Sequence, residues 1–178
     1  INSCGYEVLV SNFFEYYKLS AFLRHNIRKP IGLVMGINNL ADIFKEKYYE
    51  NLQGGILEAF GILFKDNIRI YAYPIEKENF ERYRKQIGIG DNVEVEMCED
   101  GLVTIDNLLV AKNLRNLYKY IRENGVLESI QDCERTNMGV FSRDAFDRVR
   151  ERKDGWSEIV PNCVAELIKK KNLWRAPM

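Results

Sequence analysis

The chain is poor in the residues that most often announce a function. It has one histidine, two tryptophans and four prolines in 178 residues. Its cysteines stand singly at Cys4, Cys98, Cys133 and Cys163. With no Cys-x-x-Cys pair and a lone His25, zinc-type ligand spacing is missing and no metal site is expected. The four thiols read as reduced, as in a cytoplasmic protein, and as small apolar filler. No apolar run approaches the ~18 residues of a membrane span, so no membrane partner is expected. There is no excess of either charge: Lys+Arg and Asp+Glu number 26 each. That balance argues against a nucleic-acid partner, while leaving room for a local basic pocket for phosphates. A signal-peptide pattern is also missing, although the chain opens at Ile1 rather than Met, so absent targeting signals carry little weight. Finally, there is no Gly-x-Gly-x-x-Gly, Gly-x-Ser-x-Gly or Walker loop. Dinucleotide oxidoreductase, α/β-hydrolase and P-loop readings therefore find no support.

What is present describes a globular chain. Apolar residues make up 46% and charged residues 29%, enough for a substantial core in one domain or a little more. Tyr6–Val10 (YEVLV) is rich in strand formers. Phe13–His25 has apolar residues at helical spacing, and Pro30 stops it. Ile31–Met35 is apolar throughout, which predicts a strand covered on both faces. Asn39–Tyr48 and Ile56–Phe64 read as helices on either side of Gly54-Gly55, and Ile68–Pro74 reads as a further strand. Alternating strands and helices predict a parallel sheet with covering helices. Beyond it, Asn79–Gln86 is a charged helix, and VEVEMC with GLVTI predicts a hairpin turning at Glu99–Gly101. Asn113–Glu123 places Leu114, Leu117, Tyr118 and Ile121 on one stripe before Gly125. Phe141–Arg152 and Asn162–Lys171 complete the helices, the last with Pro161 at its start, where a missing N–H costs nothing.

The stretch from Ile31 to Phe44, IGLVMGINNLADIF, carries the first functional clue. A buried strand ends at Gly36 and delivers Asn38 and Asn39 to the start of a helix. In open α/β sheets that position, outside the carboxyl ends of the strands, is where ligands sit. Either asparagine can cap the helix, and either can meet a ribose or base edge.

Two blocks resemble the nicotinate-nucleotide adenylyltransferases of the HIGH-type nucleotidyltransferase superfamily. That family ends a buried strand with Gly-Ala-Asp and opens a helix with Asn-Leu. Gly36-Ile37-Asn38-Asn39-Leu40 stands in that position, with Asn38 where the family has aspartate and Tyr48-Tyr49 near its aromatic pair. The second block runs from Phe141 to Trp174. The family's Ser-Ser-Thr-x-Ile-Arg, Val-Pro and closing helix correspond to FSRDAFD, IVP, NCVAELI and KNLW without an insertion. Ser142 falls on the first serine and Phe146 on the isoleucine. Arg143, Asp144 and Asp147 replace the second serine, the threonine and the arginine, and Arg148 follows directly. The family's Gly-rich loop with His-x-Gly-His has no counterpart, so catalytic residues cannot be named.

The resemblance implies an α/β fold, a Rossmann-like parallel sheet with covering helices and an inserted α+β element. Residues 1–74 would form the latter part of that sheet, 75–137 the insertion, and 138–178 the C-terminal helical part of the same domain. The first strand, loop and helix would lie upstream of Ile1 or be lost. It implies transfer of AMP from ATP to nicotinate or nicotinamide mononucleotide, releasing pyrophosphate, with ATP and Mg²⁺ as cofactors. The small-molecule nucleotide would meet Gly36, Asn38 and Asn39 on one side and Ser142, Arg143 and Arg148 on the phosphate side. A homo-oligomer or an upstream domain of the same protein would be its protein partner. The alternative is a catalytically degenerate domain for nucleotide sensing or protein contacts.

Each residue set also has a plainer reading. Ser142 can cap its helix, and the neighbouring arginines can pair with Asp144, Asp147 and Glu151. His25 can be an exposed helix-end histidine. The aromatics of Phe13–Tyr17 and Tyr48-Tyr49 can stack a base or serve as core, and Lys169–Lys171 suits a solvated helix C-terminus.

Overall fold

In IRIYAY every second residue is apolar and small or branched, and that alternation decides which face of the sheet is buried. In the computed structural model this segment is the central strand of a three-stranded parallel sheet. Residues 2, 5–65, 67–87, 93–96 and 100–174 are described. The chain divides into two units, one Phe13–Met138, the other Ile1–Asn12 with Gly139–Met178.

The larger unit opens with α1 (Tyr16–Asn26), in which the fully buried Ser20 hydroxyl donates to the Tyr17 carbonyl at 2.9 Å. Then come β1 (Ile31–Gly36), α2 (Ile37–Ile43), α3 (Gly55–Leu63) and β2 (Ile68–Tyr73). β1 and β2 pair in parallel from Ile31 beside Ile68 to Gly36 beside Tyr73. A third strand, Leu127–Ser129, pairs in parallel with the other edge of β2, Leu127 lying beside Ile70. The spatial order makes β1 an end strand.

Ile68, Ile70 and Ala72 point into the core, while Arg69 and Tyr73 face outward. β1 repeats the pattern with Gly32 and Val34 outward, Val34 being 67% exposed. The expected strand covered on both faces is therefore corrected: only one face is buried, and the other carries an Arg69–Glu128 ion pair at 2.9 Å. Beneath the buried face, Phe44 packs edge-on against Phe60 and Tyr118, and Tyr49 packs against Tyr17 and Phe60. The Tyr49 hydroxyl donates to the Ile43 carbonyl at 2.6 Å. Tyr17 and Tyr49 are thus core residues.

Past β2 come β3 (Ile75–Glu76), α4 (Lys77–Ile87), β4 (Glu94–Val95), β5 (Leu102–Val103), β6 (Leu108–Leu109), α5 (Arg115–Glu123) and the third sheet strand, β7 (Leu127–Ser129). The expected hairpin does not form. β5 pairs antiparallel with β3, and β4 with β6, so the two segments find different partners. Part of the expected turn, at Glu99, lies outside the described residues. The loop between β5 and β6 is closed by side chains: Asn107 accepts from the Thr104 N–H at 2.9 Å and donates to the Leu102 carbonyl at 2.7 Å.

The smaller unit holds α6 (Ser142–Arg150) and α7 (Asn162–Lys171), and Asn172 ends the latter in a left-handed conformation. Tyr6–Val10 forms no strand. It is exposed, with Val10 at 90%, because strand formers need a partner strand that local sequence does not supply. Cys163 is disulfide-bonded while Cys133 is free, which corrects the expectation of four reduced thiols. Cys4 and Cys98 lie outside the described residues. Among the described residues no helix is long and apolar enough to cross a membrane.

Candidate functional site

Parallel pairing sets Gly36 and Tyr73 side by side where β1 and β2 end. Gly36 is extended (φ −76°, ψ 156°) and leads directly into α2, so Ile37 is already helical. Asn38 and Asn39 therefore sit within the first turn. Neither caps the helix, which corrects the capping reading: Gly36 holds the cap position and no side chain closes it. The Asn38 amide donates to the Asn39 side-chain oxygen at 3.4 Å, and both residues are half-buried.

A side chain at Gly36 would crowd two neighbours. A β-carbon would overlap the Asn38 side-chain oxygen and lie 3.1 Å from Cζ and the hydroxyl of Tyr73. Tyr73 is in turn near a polar cluster built on Asp42. Tyr83 of α4 donates to Asp42 at 3.4 Å, and Lys45 pairs with the other Asp42 oxygen at 2.6 Å. Tyr16 of α1 completes the group. Burial pushes its phenol up from the ordinary value, and the nearby Asp42 carboxylate and Tyr73 push it further. Tyr16 thus stays protonated at neutral pH and is available as a donor.

Phenols and carboxamides thus stand near the carboxyl end of β1, with one carboxylate paired to a lysine. Such groups hydrogen-bond and stack on a planar polar ligand. Asn38 and Asn39 were legible because they follow a strand. Tyr73 was not, since only strand register brings it beside Gly36.

The other candidate residues lie on α6, in the smaller unit. Ser142 is the first helical residue, not the cap, which is the Phe141 backbone without a side-chain closure. Ser142, Arg143 and Arg148 are exposed. Arg148 runs close to Gly155, whose built β-carbon would lie 3.6 Å from Nη1. Asp147 pairs with Arg150 at 3.7 Å, and Glu151 pairs with Lys153 at 2.7 Å with Arg150 also acting on its carboxylate. His25 is exposed in the last turn of α1.

No family model, curated protein or solved structure matches this chain.

Proposed function

We propose that the chain is a nucleotidyltransferase-like, nucleotide-binding domain. Its sheet is read as the latter part of a Rossmann-like one, and the crevice at Gly36 takes the base or pyridine end of a mononucleotide. The observation that carries this reading is the pairing of Gly36 with Tyr73 at the carboxyl ends of adjacent parallel strands, the edge where open α/β sheets hold ligands. Asn38 and Asn39 supply donors and acceptors for a ring edge, and Tyr16 and Tyr73 supply phenol hydroxyls and ring faces. On this reading the reaction served is transfer of AMP from ATP to nicotinate or nicotinamide mononucleotide. Positioning and charge stabilisation would do the catalytic work, without a covalent enzyme intermediate.

The Mg²⁺ implied by resemblance finds no protein cage. Among the described residues no three His, Cys, Asp or Glu side chains gather to hold an ion, and Asp42 is matched by Lys45. A magnesium ion would arrive on the triphosphate's own oxygens. The cytoplasmic setting of this reading also requires the Cys163 disulfide to be open there.

The second reading, nucleotide sensing without turnover, is favoured by Asn38 and Asp147, which stand where the resembling family has an aspartate and an arginine. Titration calorimetry with ATP and with nicotinate mononucleotide, run beside a pyrophosphate-release assay, tests both. Binding with pyrophosphate release supports the transferase and binding alone the sensor; no heat from either nucleotide at millimolar concentration overturns both. Gly36→Ala displaces the Asn38 amide without straining the backbone and should weaken binding about tenfold, or ~1.4 kcal/mol. Separately, Arg148→Ala should lower ATP affinity by about 1.5–3 kcal/mol if that guanidinium meets a phosphate. Unchanged affinity would leave it a surface residue.

A further inference from the structure

In β1 the Ile31 N–H donates to the Asn67 carbonyl at 3.4 Å, on the side of β2. Backbone groups alternate along a strand, so those of Ile31, Leu33 and Met35 face β2. Gly32 and Val34 therefore turn their N–H and C=O groups to the opposite flank, a donor and an acceptor from each. Both residues are exposed, and Gly32 has no side chain, so its exposure is that of the backbone itself. Among the described residues no strand but β2 pairs with β1, and no backbone group bonds to this outer side of Gly32 or Val34. Past Val34 the flank closes, since Met35 and Gly36 are buried. The stretch from Gly32 to Val34 is open to a partner backbone.

The matching half is Tyr6–Val10. Tyr6, Val8 and Val10 alternate with Glu7 and Leu9, the pattern of a strand that lays one side on an apolar surface. All of these residues are exposed, and among the described residues none of them makes a backbone hydrogen bond. Laid parallel beyond β1 with Glu7 beside Gly32, the segment sets Tyr6 and Val8 next to Ile31 and Leu33. Those two side chains are only half-buried and end the core at this flank. Leu9 then falls beside Val34, and Glu7 lies on the outward face that carries Arg69, a charge of opposite sign. Each copy's segment leaves on the order of several hundred Å² of apolar surface in water, more than scattered surface residues account for. Two reciprocal dockings, each covering surface on both partners, reach the roughly 1,200–2,000 Å² of a stable interface.

We propose that Tyr6–Val10 of one copy adds as a parallel strand to the Gly32–Val34 flank of a second copy, reciprocally, in a two-fold dimer. This interface does not rest on the nucleotide reading.

Sedimentation of the full chain over a concentration series should show a monomer–dimer equilibrium. Amide exchange at Gly32 and Val34 should slow about tenfold or more on dimerisation, while Leu33, which faces β2, should not change. Val8→Lys puts a charge on the covered side of the added strand. Val8 is exposed in the single chain, so this change leaves the monomer fold alone. Val34→Pro removes an outward N–H and leaves the bonds to β2 in place. Each variant should weaken dimerisation about tenfold or more, and melting curves screen both for folding. A chain that stays monomeric throughout the series would overturn the proposal. So would a dimer kept by either folded variant, which puts its seam elsewhere, two β1 flanks included. Unslowed exchange at Gly32 and Val34 in the dimer would overturn it as well. Slow exchange there in the monomer would do the same, by giving the flank to the chain's own Tyr6–Val10.

Discussion

Two phenols show how single atoms hold the larger unit together. Tyr118 is buried, and its hydroxyl donates to the Ile105 carbonyl at 2.7 Å; Tyr49 does the same for Ile43. Tyr118→Phe leaves a carbonyl without its donor and should cost about 1–2 kcal/mol in urea unfolding. An unchanged midpoint would mean that water replaces the hydroxyl freely. Burial also raises both phenols well above the ordinary value of about 10, and raises Tyr16 for the same reason. The neutral form is the one the fold prefers, so above pH ~10 the unfolded chain loses these protons first. Their contribution to stability is complete below that pH and is lost as pH rises through the folded values. Urea midpoints should therefore fall between pH 10 and 12, less steeply in Tyr49→Phe. A flat profile would contradict the burial of these rings.

At the scale of elements, α4 is the sharpest case. Nearly all its surface is polar, and among its described side chains Phe80 alone is fully buried. Phe80→Ala should cost about 3–5 kcal/mol and loosen α4 from β3 and β5, read as faster amide exchange across Lys77–Lys85. Protection equal to the parent would show that the helix is held some other way. Elements whose limits are set locally were legible: α7 begins behind Pro161 and spans Asn162–Lys171 as the sequence predicts, and α3 and β2 fall within a residue of expectation. Elements that depend on a distant partner were not. YEVLV has strand propensity but no strand beside it, and the β4 and β5 segments pair with β6 and β3 rather than each other. β7 escaped notice because three residues are too few for a periodic signal. The proposed nucleotide site shares that divide. Gly36 and the asparagines announce themselves locally, whereas Tyr73 joins them only through register.

For the molecule as a whole, the cysteines give the most direct check. Four cysteines less the two in one disulfide leave two free thiols. Protein alkylated at lysis and then denatured should titrate as two thiols with Ellman's reagent if the bond is closed where the chain works. A count of four would place the chain in a reducing compartment and support the cytoplasmic reading. The outer flank of β1 bears on the whole molecule in another way. From Ile31 to Gly36 it has no lysine, proline or other gatekeeper, and Val34 stands out from it. Two such flanks meeting in a crowded solution would zip into a continuous ribbon, so Val34→Lys should lengthen colloidal shelf life at high concentration.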